Sequence, residues 1–177
     1  MNFENILNAL PDYAKDIKLN LSSLANNHSG ITDVQFAGSV LVAAIASKNG
    51  ALSKHIRQSI ASTLNETEIN AAHSAVSIMA MTNIYYRFTD LVNDPSYATM
   101  PAGLRMNILA NHGIDKVTFE MWSLVVSIIN GCHKCVTAHE QVLVKQHGVA
   151  EETIQLLAKI AAVIHSLATV QIVELSK

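Results

Sequence analysis

Residues that interrupt helices are scarce in this sequence, and that scarcity constrains the fold more than any other feature. Only seven glycines and three prolines occur among 177 residues. Between them, apolar residues recur at steps of three and four, as in helices with one buried face, and no segment alternates strictly like a half-buried strand. The sequence therefore predicts an all-α protein. The predicted helices cover residues 3–9, 11–26, 33–48, 51–63, 66–92, 101–111, 116–129, 132–147 and 151–175.

Several of these helices begin with residues that can cap free backbone N–H groups. Thr32-Asp33 and Asp115 offer side-chain oxygens at the start of two segments. Asn65 does the same before a first turn that carries two glutamates, which interact favourably with the positive end of the helix dipole. These residues predict helix starts near 33, 66 and 116.

The composition is apolar for a protein of this length. Apolar residues make up 50% and charged residues 15%, against about 25% charged residues in typical soluble domains. A membrane protein and a subunit that buries surface against its own copies both fit these values. The apolar runs are shorter than a span of roughly 20 residues, since one stops at Asn130 and another contains Lys159 and His165. The N-terminus lacks the basic start of a secretory signal. We therefore expect a cytoplasmic homo-oligomer with no membrane partner.

Charge and cysteine content narrow the function classes further. The net charge is −2, and the sequence has no block of basic residues. Binding to nucleic acid requires a basic surface, so we expect no nucleic-acid partner. The two cysteines lie three residues apart, and in a reducing compartment such a pair is more typical of metal or redox chemistry than of a structural disulfide.

A weak internal repeat is visible at an offset of 85 residues. Each half opens a long Ala-rich helix in the same way, although few identities remain. The matched stretches are 64–69 with 149–154, 46–50 with 131–135, and Gln35 with Glu120. We interpret the chain as a single helical domain, 1–177, with repeat halves at about 30–92 and 115–177. Only the second half contains cysteines.

The stretch NGCHKCVTAHE, residues 130–140, is the candidate site. If a helix begins just after Gly131, then Cys132, Cys135 and His139 stand at positions i, i+3 and i+7 on one face. The free N–H groups of a first turn favour a thiolate, and an imidazole one turn beyond Cys135 can accept its proton. The helix start favours Cys132 as the reactive thiol and His139 favours Cys135, so spacing alone leaves their roles open.

Glu120 is the second candidate. It is the only charged side chain between residues 117 and 132, and its neighbours are Phe119, Met121 and Trp122. A carboxyl group in such surroundings can act as an acid or base near neutral pH. The alternative is a solvated carboxylate that only interacts with the helix dipole.

Other interpretations of the cysteine pair are a metal site or inert buried thiols. Zinc could bind Cys132, Cys135 and His139, with Glu120 or His147 as a fourth ligand, but structural zinc sites usually use a second ligand pair. A thioredoxin-like fold is disfavoured because no strand precedes the pair. The methionines are interpreted as residues that fill the core, with no functional role.

Taken together, these residues resemble the AhpD-type alkylhydroperoxidases of the carboxymuconolactone-decarboxylase-like superfamily. Stretches 10–21, 104–108 and 119–124 resemble the N-terminal and central parts of that family. The most specific element is Glu120, which stands twelve residues before a C-x-x-C pair that is followed by His139-Glu140.

The resemblance implies an all-helical, internally duplicated fold that assembles into a trimer. It implies that Cys135 is the peroxide-attacking nucleophile, which passes through a sulfenic acid. Cys132 would be the proton donor and resolving thiol, and would close a redox disulfide with Cys135. His139 would be the general base and Glu120 part of the proton relay.

The resemblance also implies partners. No cofactor would be tightly bound, and the reductant would be the dihydrolipoamide of a lipoylated acyltransferase. The dithiol would regenerate the peroxiredoxin AhpC. Two alternatives remain: a zinc-stapled helical interaction module, and a cofactor-free decarboxylase of the same superfamily, which would use no cysteine pair.

One position departs from the family pattern. Some members have a histidine immediately before the second cysteine, whereas this chain has Lys134 there and a histidine at His133. At about 100° per residue the two positions point in different directions. We therefore do not expect His133 to act in the relay, and we interpret Lys134 as a possible stabiliser of a thiolate by its charge.

Overall fold

The computed structural model describes residues 3–92 and 94–176, and within them it contains helices but no strand, which confirms the all-α prediction. The α-helices are α1 (Glu4–Asn8), α2 (Lys15–Asn26), α3 (Asp33–Ala46), α4 (Gly50–Ser59), α5 (Glu66–Leu91), α6 (Pro95–Thr99), α7 (Lys116–Ile129), α8 (His133–Gln141) and α9 (Glu151–Leu175). Two 3-10 turns, Asp12–Ala14 and Asn107–Ala110, and one π-helical turn, Val142–Gln146, complete the list.

The helix caps predicted from the sequence are present. Thr32 and Gln35 form a reciprocal capping box at the start of α3, and Asn65 and Glu68 form another at the start of α5. Asp115 accepts a hydrogen bond from the backbone N–H three residues later, at 2.8 Å. Each cap satisfies backbone donors that a helix start leaves free.

The prediction of a helix over 101–111 is wrong. Pro101 restricts the chain before it, and Gly103 adopts a φ of 64°, which no right-handed helix allows. Only Asn107–Ala110 forms a 3-10 turn. The short helix α6 was not predicted; it begins at Pro95, where a proline's fixed φ suits the first turn, and Asp94 caps it.

The core lies where α3, α5, α7 and α9 pack together. α3 and α7 approach very closely at Gly38, where a Cβ atom would lie 2.1 Å from the Trp122 ring. The Trp122 indole is fully buried and donates a hydrogen bond from Nε1 to the backbone oxygen of Gln35, at 3.1 Å. This contact fixes the position of α7, which supplies part of the site.

Helix α9 is long and apolar enough to cross a membrane, with a mean hydropathy of 1.8 over its most apolar window. The run-length argument from the sequence therefore does not separate α9 from a membrane span. Its packing is informative instead, because α9 contacts α2, α3 and α7. The side chains it buries are Thr153, Leu157, Ile160, Ala161, Ile164, Leu167, Ala168 and Val170.

The helix starts give a different register for the internal repeat. α3 and α7 begin 83 residues apart, as do α4 and α8, whereas α5 and α9 begin 85 residues apart. The repeat therefore does not keep one offset, and Glu120 on α7 corresponds to Ala37 on α3 rather than to Gln35. The duplication itself stays a prediction.

Local backbone geometry agrees with the offset of 83. Lys48, before α4, has a φ of 58°, and Gly131, before α8, has a φ of 65°. The next residue in each half caps the following helix: Asn49 accepts from a backbone N–H in α4, and Cys132 does so in α8. The first half therefore has a helix start of the same geometry without its sulfur chemistry.

Candidate functional site

The start of α8 holds the cysteine pair. Gly131 turns the chain in the left-handed region, and Cys132 is the N-cap residue, whose Sγ accepts from the backbone N–H of Cys135 at 3.3 Å. The two cysteines form a disulfide, with their Cα atoms 5.3 Å apart. The predicted helix start is thus confirmed, and the pair lies at the end of a helix where backbone N–H groups favour a thiolate.

His139 and Glu120 form the second part of the site. They lie 19 residues apart in sequence, on α8 and α7, and Nδ1 of His139 is 2.6 Å from Oε2 of Glu120. Their side chains are only 15% and 19% exposed. Solvent therefore screens the contact weakly, and a carboxylate in this position orients the ring and stabilises its protonated form.

The other ring nitrogen of His139 contacts a methionine. Nε2 lies 3.3 Å from Sδ of Met79, which is on α5 and 3% exposed. Three further side-chain donors surround the same sulfur. They are Oγ1 of Thr82 at 3.7 Å, Nδ2 of Asn83 at 3.8 Å and Oγ of Ser127 at 3.6 Å.

A cavity of about 440 Å³ opens beside these residues. Cys135 and His139 lie on its wall, whereas Cys132 is fully buried. The remaining lining residues are Met79, Thr82, Tyr86, Met106, Leu109, Lys134 and Ala138. The cavity thus brings one sulfur of the pair and the paired imidazole to a largely apolar space that could accept a small organic molecule.

Lys134 and His133 point to the end of α5. The Lys134 ammonium donates to the backbone oxygen and to Oγ1 of Thr89, at 3.3 and 3.2 Å, and lies 4.0 Å from a carboxylate oxygen of Asp90. His133 is 79% exposed, with Nδ1 3.4 Å from the Asp90 carboxylate. Arg87 also binds this region, donating to the backbone oxygen of Asn130 at 2.7 Å. These contacts tie the start of α8 to α5.

Comparison with known proteins decides the family. Residues 95–173 match the carboxymuconolactone decarboxylase family. The chain is 45% identical over 168 residues to the alkyl hydroperoxide reductase AhpD of Methylobacterium sp. (strain 4-46), which covers 95% of this chain and 94% of the relative. It is 46% identical over 167 residues to that of Streptomyces griseus subsp. griseus, covering 94% and 93%. The chain belongs to the AhpD family. A third relative, the AhpD of Acidobacterium capsulatum, is 44% identical over 170 residues and covers 96% and 92%.

The structure brings together most of the residues that the AhpD resemblance named. Cys132, Cys135, His139 and Glu120 form one cluster, and Lys134 lies on the wall of the same cavity. His133 lies outside the cluster and faces Asp90.

A charged neighbour of the AhpD-type site is His112. Its ring stacks on Phe119 with centroids 4.1 Å apart. Partial burial lowers the pKa of His112, and the negative charges of Glu120 and Asp115 offset part of that effect. His112 is therefore a mainly neutral ring beside the carboxylate that holds His139.

The residues proposed for zinc do not form a ligand set in this disulfide form. Cys132 and Cys135 bond to each other. Across residues 3–92 and 94–176, no three His, Cys, Asp or Glu side chains converge as metal ligands would.

Sequence reasoning missed the part of the AhpD-type site that α5 supplies. Met79, Thr82, Asn83 and Tyr86 stand at i, i+3, i+4 and i+7 and so share one face. Met79 was interpreted as a core residue, which its burial confirms, but its sulfur also contacts His139. A polar stripe on an otherwise core-facing helix was the available signal.

Proposed function

We propose that this chain is a dithiol enzyme that reduces alkyl hydroperoxides through Cys132 and Cys135. One observation carries the proposal: Cys135, and not Cys132, faces the apolar cavity on whose wall His139 also lies, paired with Glu120. The 44–46% identity to proteins named alkyl hydroperoxide reductase AhpD supports the same reaction class.

The first half-reaction starts from the reduced pair. His139, oriented by Glu120, takes the proton from Cys135, and the thiolate attacks the hydroperoxide. The O–O bond breaks, Cys135 becomes a sulfenic acid, and Cys132 gives its proton to the leaving alkoxide, which departs as an alcohol.

In the second half-reaction the Cys132 thiolate attacks the sulfenic sulfur of Cys135. The proton held by His139 passes to the leaving hydroxide, and one water is released as the disulfide closes. The hydroperoxide has then gained two electrons and the two thiols have lost two. The structure shows the product of this step.

We propose that dihydrolipoamide on a lipoylated acyltransferase returns the two electrons, and that the dithiol also regenerates the peroxiredoxin AhpC. Both exchanges need a disulfide within reach of an incoming thiol. Cys135, at 7% exposure and on the cavity wall, gives that access. Lys134, beside Cys135 on the same wall, would stabilise the thiolate leaving group by its charge. We place this chemistry in the cytoplasm, where thiols are kept reduced.

We further propose that the working form is a trimer. Large apolar side chains are exposed along α5 and α6, more than a monomer usually leaves in contact with water. They are Met81, Ile84, Phe88, Leu91, Tyr97 and Met100.

Replacement of Cys135 by Ser tests the proposed reaction. We expect Cys135→Ser to reduce dihydrolipoamide-dependent turnover of tert-butyl hydroperoxide to the background rate, because the nucleophile is lost. His139→Gln is expected to slow turnover about 10²- to 10⁴-fold.

The matched control is His133→Gln, on the same helix but facing Asp90. We expect it to change turnover less than about 2-fold, since exposed substitutions away from a site have small effects. Turnover retained by Cys135→Ser would overturn the thiol mechanism. One zinc per chain in the purified protein would favour the zinc-stapled module instead.

A further inference from the structure

The sulfur of Met79 has surroundings that are unusual for a core methionine. Four side-chain donors lie 3.3–3.8 Å from it, on three different helices. Nδ2 of Asn83 also donates to Oγ of Ser127 at 3.1 Å, and Nδ2 of Asn130 donates to Oδ1 of Asn83 at 2.9 Å, so the donors form a connected network. A residue that only filled space would not require this polar shell.

The contact between His139 and Met79 depends on the protonation of the ring. A thioether sulfur is only an acceptor, so it gains from Nε2 of His139 when that nitrogen carries a hydrogen. Nδ1 faces the Glu120 carboxylate at 2.6 Å. Met79 and Glu120 thus provide acceptors for both N–H groups of an imidazolium. A neutral ring with its proton on Nδ1 would instead direct a lone pair at the sulfur.

The other half of the chain provides an internal comparison. With the helix starts aligned, the positions of Met79, Thr82 and Asn83 on α5 correspond to apolar residues on α9. Ser127 and His139 also correspond to apolar residues. In the order Met79, Thr82, Asn83, Ser127 and His139, the corresponding residues are Ile164, Leu167, Ala168, Ala44 and Ile56.

This comparison separates packing from chemistry. All five corresponding residues are buried, so the same helix arrangement packs with aliphatic side chains alone. The polar shell around a sulfur occurs in the half that holds the cysteine pair and its histidine.

We propose that Met79 is a positioning residue that stabilises the protonated form of His139 and so favours the thiolate of Cys135. The inference rests on the proposed function, in which His139 is the base for Cys135. The proton leaves Sγ of Cys135 and ends on Nε2 of His139, where Sδ of Met79 accepts the new N–H. The thiolate and imidazolium are thus both stabilised before a hydroperoxide arrives.

Other titratable groups near His139 do not replace this acceptor. Glu120 on α7 binds Nδ1, and Lys134 and Tyr86 lie on the cavity wall. His112, before α7, interacts with Glu120. Among the described residues, the hydrogen-bond partner of Nε2 is Met79.

Two substitutions with opposite expectations test this role. Met79→Leu conserves volume but removes the acceptor, and Met79→Gln keeps an acceptor oxygen at similar reach, where the three other donors can satisfy it. The measurement is the rate of alkylation of Cys135 by iodoacetamide in the reduced full chain, resolved by peptide mass, from pH 5 to 10.

We expect Met79→Leu to slow alkylation at pH 7 about 3- to 10-fold, the worth of one hydrogen bond. The rate should recover at high pH, where the thiol ionises without help. Met79→Gln should stay within about 2-fold of the native chain at every pH. Met81→Leu, two residues along the same helix and 37% exposed, is the control and should leave the profile unchanged.

A packing role would give the reverse order, with Leu tolerated and Gln impaired. Native alkylation in Met79→Leu, or equal loss in both variants, would overturn the proposal. A second measurement uses the unmodified protein: ¹⁵N NMR of the oxidised form at pH 7 should show both ring nitrogens of His139 protonated, and an unprotonated Nε2 would also overturn it. Alkylation requires no hydroperoxide, so these results stand apart from any failure of peroxide turnover.

Discussion

The two cysteines occupy different surroundings although one helical turn contains both. Cys132 is fully buried, and its Sγ caps α8. Cys135 reaches the cavity that His139 also lines. A hydroperoxide can therefore approach Cys135 more readily than Cys132, and a resolving thiol in the Cys132 position is protected from side reactions until a sulfenic acid forms beside it.

Replacement of Cys132 by Ser should trap the intermediate. Without its partner thiol, Cys135 should accumulate as a sulfenic acid after one equivalent of hydroperoxide, and dimedone should add to it. Peptide mass spectrometry would locate the adduct. In the native chain the disulfide should close first and leave little adduct. Absence of a Cys135 adduct in Cys132→Ser would contradict the assigned order of attack.

At the residue scale, the sequence predicted what local spacing determines. Glu120 stood out because it is the only charge in a long apolar stretch, and the structure places it 2.6 Å from His139. Met79 could not be found in this way, because its contact with His139 depends on how α5 packs against α8, 60 residues away. Spacing within one helix does not determine the register between two helices.

At the element scale, the start of α7 positions the carboxylate of the site. Asp115 accepts from the backbone N–H and Oγ1 of Thr118, at 2.8 and 2.9 Å. Partial burial of Asp115 disfavours its charge, but these hydrogen bonds outweigh burial and lower the pKa of Asp115. Glu120 lies little more than one turn further along the same helix.

Replacement of Asp115 by Ala should lower the free energy of unfolding at pH 7 by about 1 kcal/mol, the typical worth of an N-cap. Because the pKa is lower in the folded state, the stabilisation is complete above the unfolded pKa of about 3.9 and is lost as the pH falls through the folded value. Urea unfolding of both proteins from pH 7 to pH 3 measures the difference.

Asp115→Asn is the matched control, because it keeps an acceptor oxygen and removes the titration. It should retain most of the stability at pH 7, and its difference from Ala should not vary with pH. A native-minus-Ala difference that stays constant down to pH 3 would show that the ionised cap does not stabilise α7.

Helix boundaries followed the sequence where a cap or a clear periodicity defined them. α7, α9 and the starts of α3 and α5 lie where they were predicted. The segment 101–111 failed because its apolar spacing resembles a helix while Gly103 adopts a left-handed conformation. In that segment backbone geometry outweighs side-chain pattern.

At the scale of the whole molecule, exposed apolar side chains on α5 and α6 remain to be covered. Phe88 is 47% exposed and stacks edge-on against Tyr97, with ring centroids 5.4 Å apart. The trimer predicted from the resemblance would bury such a surface, and the low content of charged residues agrees with a buried interface.

We expect sedimentation equilibrium to give three times the 19.2 kDa mass of one chain. Phe88→Glu should shift the mass toward the monomer, because a charge would be buried at the interface. Leu19→Glu, on α2 and 59% exposed, is the control and should leave the mass unchanged. A monomeric native chain would rule out the trimer, and an unaltered mass in Phe88→Glu would place the interface elsewhere.

The central claim is that Cys132 and Cys135 act together as a two-electron donor to a hydroperoxide. The most direct test is a single-turnover titration of the reduced chain with one equivalent of tert-butyl hydroperoxide without oxygen, in which free thiols and the alcohol product are both counted. The account predicts a loss of two thiols per chain, one alcohol formed and a disulfide between Cys132 and Cys135. Thiols that remain unchanged while the hydroperoxide persists would contradict it.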